Sequence, residues 1–311
     1  MNPSNRRFDL LVIGDANPDV VLHGVPPGLA YGQVEQLVDD GKLTIGGSAA
    51  ILACGAARLG LRTAFVGVVG DDSAGRFMLD QLGQRGVDTG GCIVDKVLPT
   101  GLTVILVDGE DRAILTSLGC MPTLAGDMVD RELLHAARHV HTSSFFLLPK
   151  FAADLAGLFD EAHATGLGTS LDSQGDPAGR WDGPLRQVLR ATDVFFPNAN
   201  EALNIGGPRL GLEGAVQAIA GIGTLPVVKC GADGAMACGA DGFVRVPAPT
   251  VDMVDTVGAG DSFAAGFLYG RLNDFDLERC LKLAVTCGSL STQAAGGTSA
   301  QPTLAEALAI L

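Results

Sequence analysis

The chain has 311 residues, long enough for one large α/β domain or two small ones, and at 47% hydrophobic it can bury a large core. Its 35 acidic and 21 basic residues leave a formal charge of −14. That excludes a nucleic-acid or anionic-membrane surface, which needs basic patches, whereas one phosphate pocket needs only local N–H groups and one or two cations.

The start, residues 1–7, is short and polar with no signal-peptide core behind it, and no apolar run is long enough to span a membrane. A soluble cytoplasmic protein is expected. The seven cysteines (Cys54, Cys92, Cys120, Cys230, Cys238, Cys280, Cys287) are odd in number and scattered. They read as small core residues, not as a disulfide framework or a zinc site.

Residues 8–13 read as a buried strand closed by Gly14, running into the polar turn Asp15-Ala16-Asn17-Pro18-Asp19. Such an opening suggests a doubly wound fold, with ligands beyond the carboxyl ends of the strands. Asn17 and Asp19 are either turn formers or hydroxyl-binding groups. Short strands over 20–22, 34–38 and 43–45 surround a Pro-Pro-Gly break with no helical period, and predict part of a separate small sheet, a lid. Gly46-Gly47-Ser48 then opens a helix over 49–59, with Ser48 as N-cap and Gly60 as stop. This helix is apolar nearly all round and should be buried. A buried strand follows over 63–69, then Gly70-Asp71-Asp72-Ser73 and a helix to Gln84. The two aspartates read as turn and cap chemistry.

Segments 101–107 and 112–116 flank Asp108-Gly109-Glu110-Asp111, a hairpin pattern expected to pair with the strands of 20–45. From Leu124 onward helix-like runs (128–137, 151–164, 184–189, 214–219) alternate with strand-like runs (140–146, 168–171, 194–196, 226–229). Alternation of this kind predicts a parallel sheet with helices on both faces. Trp181 reads as a loop residue on the surface. Segments 236–238 and 243–246 form another hairpin, and helices follow over 262–272, 277–292 and 304–310.

The stretch just before those last helices carries the chemistry: Asp255-Thr256-Val257-Gly258-Ala259-Gly260-Asp261. Three small residues at a helix start leave bare N–H groups where the helix dipole is positive, which suits an anion. A carboxylate next to such a hole can serve as the base in phosphoryl transfer to an alcohol. The alternative is a tight turn with an acidic first-turn residue. Upstream, Asn198 and Glu201 read by themselves as a helix capping pattern, and Lys229 as a strand-end charge reaching water.

The late D-T-x-G-A-G-D motif, the early Gly46-Gly47 and a strand-only insert in an α/β core together resemble the ribokinase-like (PfkB) family of carbohydrate kinases, over nearly the whole length. The resemblance implies one α/β domain over 1–311, a doubly wound, mainly parallel sheet flanked by helices, with a β lid formed by about 18–46 and 98–119. It implies an ATP-dependent sugar kinase. Asp261 would be the catalytic base, and the N–H groups of Gly258, Ala259 and Gly260 would hold the migrating phosphoryl group. Asn17, Asp19, Gly46, Gly47 and the lid residue Arg112 would meet the sugar. Asn198 and Glu201, the latter acting indirectly through Mg2+, would serve the ATP phosphates, with Lys229, Gly231 and Gly234 on the nucleotide side. Asp255 and the carbonyl of Val257 fall where many members hold a monovalent cation, usually K+. Sugar and ATP would be the partners, without nucleic acid or membrane, and a homodimer through the lid is expected.

One position departs from the family pattern: Ile51 stands where an Asn follows the Gly-Gly, and an apolar side chain cannot pair a sugar hydroxyl. Altered substrate choice with intact catalysis is the expectation. A nucleoside kinase of the same fold would want an aromatic-walled pocket, of which 5% aromatic content gives little sign. A non-catalytic sugar- or nucleotide-binding protein is disfavoured by the complete late motif. Dinucleotide and P-loop glycine fingerprints are missing.

Overall fold

The computed structural model describes residues 6–26, 28–108 and 111–311. The first part of the chain runs Phe8–Ile13 (β1), Asn17–His23 (β2), Asp40–Gly46 (β3), Ser48–Arg58 (α1), Thr63–Val66 (β4), Val68–Gly70 (β5), Ser73–Gln84 (α2), Ile93–Asp95 (β6), Leu102–Asp108 (β7) and Asp111–Ser117 (β8). The middle adds Arg131–His135 (α3), Ala137–Ser143 (β9), Pro149–Ala164 (α4), Gly168–Asp172 (β10), Leu185–Arg190 (α5), Val194–Phe195 (β11), Ala199–Gly206 (α6) and Gly211–Ala220 (α7). Leu225–Lys229 (β12), Ala235–Gly239 (β13), Gly242–Val246 (β14), Ala259–Leu272 (α8), Leu277–Ser291 (α9) and Leu304–Leu308 (α10) complete it.

The main sheet has eight strands in the order β14-β13-β12-β11-β10-β9-β1-β4. From β4 to β12 neighbours pair in parallel, and β13 and β14 are antiparallel additions. All six residues of β1 are buried, because helices cover both faces. Its side chains alternate accordingly: Leu10 and Val12 join one core with α1, α8 and α9, while Leu11 and Ile13 join another with α4, α5 and α7. The chain leaves β1 toward β4 on one side and toward β9 on the other, so strand order reverses at β1. Ligands collect beyond the carboxyl ends of the strands at such a switch point.

The hairpin pairing predicted from the sequence is found in a separate four-stranded sheet, β3-β2-β7-β8. Asp19 pairs with Thr44 and Thr103, and Thr103 with Thr116, giving one polar row across all four strands. The next row, Leu43-Val20-Val104-Leu115, points to the opposite face. Leu43 is 54% exposed and Leu115 57%. The body-facing side of this sheet thus carries that polar row next to the buried Val21 and Ile105, while Leu43 and Leu115 on the other side face solvent.

Several local expectations are corrected. Residues 34–38 form no strand; Leu37 is 85% exposed and no neighbouring strand pairs with the run. The single strand expected over 63–69 is two, because the chain bends at Gly67 and Val68–Gly70 pairs with the unforeseen β6. A Cβ at Gly67 would stand 2.7 Å from the Gly14 carbonyl oxygen. The helix expected over 128–137 is cut to α3, since Ala137 already pairs with Phe8 in the sheet. β9 likewise ends at Ser143, where Ser144 turns into the left-handed region (φ 58°). Helix α6 was not anticipated beyond its capping pattern. Ser48 is not the N-cap of α1: that position is Gly47, with φ 81°. The turn residues Gly109 and Glu110 lie outside the described residues. All seven cysteines are free, and burial, acting first, pushes the Cys54 and Cys287 thiols up to about 12.

Candidate active site

Three parallel strands deliver a charged side chain at or just past their carboxyl ends: Asp15 after β1, Asp172 on β10 and Lys229 on β12. The Lys229 ammonium donates to Asp172 Oδ2 at 2.6 Å, and the two side chains are 15% and 1% exposed. Burial alone pulls the Lys229 pKa down, but Asp172 and then Glu201 and Asp261 outweigh it, so the ammonium stays charged.

Helix α8 begins against this group. Its N-cap, Gly258, is left-handed (φ 71°) and carries no side-chain cap. A Cβ there would stand 2.6 Å from Gly297 Cα and 2.9 Å from Ile51 Cγ2, so only glycine fits. The Ala259 N–H donates to the Thr256 carbonyl at 3.3 Å. Among the described residues no protein acceptor meets the N–H groups of Gly258, Gly260 or Asp261. Lys229 stands beside them, since a Cβ on Gly260 would lie 3.3 Å from its Nζ. Bare amides, a helix start and an ammonium converge on one point, an arrangement that draws a phosphate.

Asp261 lies in the first turn of α8 and is only 6% exposed. Its Oδ1 accepts a hydrogen bond from Ser48 Oγ, and Gln174 Nε2 lies 3.4 Å from the same oxygen. Desolvation, followed by repulsion from Asp172, raises its pKa to about 8 against the help of Ser48 and Lys229; Asp15 adds to the repulsion. The carboxyl group is therefore poised to change protonation near neutral pH. Ser48, at the first turn of α1, was read from sequence as a cap and is a partner of Asp261 instead. The capping task falls to Asp15, which accepts the N–H groups of Ser48 and Ala49, both at 3.0 Å.

A cavity of about 740 Å³ opens in front of these groups. Arg112, Asn198, Glu201, Lys229, Gly231 and Gly234 all border it, together with the run from Gly258 to Asp261. Asn198 and Glu201 make a reciprocal capping box for α6, with Glu201 N donating to Asn198 Oδ1 at 2.9 Å and Asn198 N to Glu201 Oε2 at 2.8 Å. The capping reading is thus correct, and the same pair faces the cavity. Burial is the main cause of a raised Glu201 pKa, aided by Asp172. Gly231 (φ 60°) and Gly234 (φ 87°) shape the turn between β12 and β13. Arg112 reaches from β8 to Thr256 Oγ1 at 3.1 Å, with Asp255 Oδ1 at 3.9 Å.

The early residues form a second group on the small sheet, and none of Asn17, Asp19, Gly46 and Gly47 is among the residues lining that cavity. Asn17 Nδ2 donates to Asp19 Oδ1 (3.1 Å) and Thr103 Oγ1 (2.9 Å), both within the polar row of the sheet or at its end. Desolvation and then Asp15 push Asp19 up to about 7. Gly46 pairs with Asn17 and packs so closely on Asp19 that a Cβ would overlap its carboxylate. Gly47 sits over Asp15, with 2.8 Å left between a Cβ and the Asp15 carbonyl oxygen. Ile51 does not border the cavity: its side chain is 3% exposed and fills the space beneath Gly258 and Gly297. Asp255 closes the loop from behind, accepting Val257 N at 2.9 Å and Gly296 N at 2.8 Å. Among the described residues no three His, Cys, Asp or Glu side chains could hold a metal together, and no helix is long and apolar enough to cross a membrane.

Sequence reasoning missed Asp15, Ser48, Asp172 and Gln174. Asp15 carries the one usable signal, an acid just past the end of an apolar strand, whereas Asp172 ends a strand that is itself half polar.

Residues 7–304 match the pfkB family carbohydrate kinase. The chain is 34% identical over 259 residues to the ATP-dependent ribose-1-phosphate kinase of Halopiger xanaduensis, covering 82% of each protein. Its fold matches the Arabidopsis thaliana ribokinase solved with ribose and ATP (TM-score 0.85, 23% identity, 97% of this chain and 98% of that one). An E. coli protein described as a ribokinase II and solved with ATP and Mg2+ matches equally well (TM-score 0.85, 24% identity, 97% and 98% coverage). With the family shown over nearly its whole length and by a relative of this similarity, the chain belongs to the pfkB family of carbohydrate kinases.

Proposed function

We propose that the protein transfers the γ-phosphoryl group of ATP to a hydroxyl of a small sugar or sugar derivative, in the cytoplasm. The observation that carries this reading is the set of uncapped α8 amides beside Lys229 and a buried, cavity-facing Asp261. In this mechanism Asp261 takes the proton of the sugar hydroxyl as its oxygen bonds to the γ-phosphorus, and the bond to ADP breaks. The amides of Gly258, Gly260 and Asp261 and the Lys229 ammonium meet the charge on the moving group. Ala259 contributes chiefly its small size, because its N–H is already engaged at Thr256. Asn17 and Asp19 bind sugar hydroxyls, with Gly46 and Gly47 giving the sugar access to backbone. Ile51 acts behind this group, from under Gly258.

Asn198, Glu201, Gly231 and Gly234 accept the nucleotide side. Magnesium would supply charge neutralisation on the ATP phosphates and needs few direct protein ligands; Glu201 borders the cavity, and among the described residues no three His, Cys, Asp or Glu side chains could hold the ion together. The Asp255 carboxylate and the Val257 carbonyl suit a monovalent cation such as K+, and the buried Thr298 hydroxyl two residues beyond Gly296 has no partner among the described residues. The small sheet acts as a lid that carries Arg112 over the site. Its exposed apolar row around Leu43 and Leu115 pairs with a second copy.

The test is a coupled ADP-release assay with ATP and Mg2+ over D-ribose 1-phosphate, D-ribose, D-fructose, 5-dehydro-2-deoxygluconate and adenosine. Turnover of a sugar, lost in Asp261→Asn, is the expected result. Turnover of adenosine alone would make the protein a nucleoside kinase, and no turnover of any acceptor would leave a binding protein.

A further inference from the structure

Gln174 lies two residues past Asp172 in the loop after β10, with a non-glycine backbone in the left-handed region (φ 56°). Such a conformation is uncommon for a long side chain and strains the backbone. Its backbone is tied down by Asp172, whose Oδ1 accepts the Gln174 N–H at 3.2 Å. The side chain turns inward and its Nε2 donates to Ser48 Oγ at 2.8 Å. Ser48 in turn donates to Asp261 Oδ1. Three residues remote in sequence, from the β10 loop, α1 and α8, thus form one hydrogen-bonded line; Gln174 Nε2 itself lies 3.4 Å from Asp261 Oδ1, against 2.8 Å to Ser48, so the link through Ser48 is the closer one.

With the Gln174 NH2 facing Ser48 and Asp261 ionised, as a base must be, the direction of that line follows from chemistry. A hydroxyl has one proton, and an amide NH2 can only donate. With Gln174 filling an acceptor site of Ser48 Oγ, the Ser48 proton is directed to Asp261. Oδ1 is then committed, and Oδ2 is the oxygen left for an incoming hydroxyl. We propose that Gln174 is a positioning residue, acting through Ser48 to orient the Asp261 carboxylate and to favour its ionised form. This rests on the reading of Asp261 as the base. The charged groups facing Asp261 are Asp172 from β10, Lys229 from β12 and Asp15 after β1. All three remain when Gln174 is replaced, so an effect of the replacement belongs to the neutral donors.

The experiment measures kcat and kcat/KM against pH for Gln174→Gly, Ser48→Ala and the double variant, using the acceptor from the panel above that the wild type turns over. Gln174→Gly removes the side chain while suiting the left-handed backbone, so its fold is retained. Loss of donors to a carboxylate raises its pKa. The rising limb should move to higher pH by about half to one unit in each single variant. Turnover at pH 7 should fall about three- to tenfold, with KM for ATP within about twofold, and the double variant should match Ser48→Ala. A rising limb that stays in place in Gln174→Gly, or shifts that add in the double variant, overturns the proposal. Wild-type inactivity on every acceptor would instead remove the kinase reading beneath it.

Discussion

Replacing Asp261 by Asn should abolish turnover and stabilise the free protein, and the two effects come from the same burial. The carboxyl group is 6% exposed and its pKa is lifted from the ordinary 3.8 to about 8, first by desolvation and then by Asp172. At about 1.4 kcal/mol per pH unit, keeping that group ionised costs on the order of 5 kcal/mol, an upper bound because entering water and relaxation relieve part of it. A carboxyl that binds its proton more tightly when folded contributes stability that is full below about pH 3.8. That contribution is lost as pH rises through about 8. Asn keeps the acceptor for Ser48 and cannot ionise. The variant should therefore exceed the wild type by roughly 2–5 kcal/mol at pH 8.5 and by much less at pH 5. For a chain of this size that is an unfolding midpoint higher by roughly 3–8 °C. Thermal and urea unfolding at both pH values, beside ADP release, measure it; turnover should drop about 10²- to 10⁴-fold. A stability gap that does not widen with pH, or turnover within tenfold of wild type, would refute the assignment.

His139 and His141 lie buried in β9, bonded to a shared Ser170 hydroxyl at 2.7 and 2.8 Å. Desolvation, acting first, holds His139 down at about 4 and His141 well below its ordinary value. The unfolded chain takes up these protons near pH 6.5 and the folded one does not, so acid should cost on the order of 3 kcal/mol at His139 alone by pH 4. Urea unfolding from pH 7 to 4.5 should fall less steeply in His139→Gln than in wild type, and equal slopes would contradict this. Lys229→Met leaves Asp172 and Glu201 buried without their cation. A loss of about 3–5 kcal/mol is expected, with weaker ATP binding by calorimetry; unchanged stability would show the ion pair is not the anchor. Ile51→Asn places an amide without partners under Gly258 and Gly297. Turnover of every sugar should fall alike, with stability lower by about 1–3 kcal/mol; a reordered acceptor ranking would instead put this side chain at the sugar.

The uncapped turn at the start of α8 was legible because its signal is local: small residues, a helix start and an acid within seven positions. The alternation of strands and helices was legible for the same reason, as was the pairing of the hairpin with the early strands. What escaped was contributed from afar. Ser48 and Gln174 meet Asp261 across 213 and 87 residues, and nothing near either residue in the chain announces it. Ser48 even carries the sequence features of a cap, a task taken by Asp15 from 33 residues away. Residues 34–38 failed in the opposite sense, since a strand-like composition forms a strand only where a neighbour offers hydrogen bonds. Ile51 shows a further limit: a motif position can be read from sequence, but whether its side chain points to ligand or to backbone depends on the fold.

Val257 sits one residue before the turn that starts α8, yet its side chain belongs to the small sheet, clustered with Val21 and Ile105 and 8% exposed. Arg112 grips the adjoining Thr256 from the same sheet. The amide cradle is thus hinged to the flap above it by an apolar peg and a polar tether. Shifting the small sheet alone would pull Val257 into water, at roughly 1.5–3 kcal/mol, so under the proposed function sugar capture and readiness of the amides would be mechanically one event.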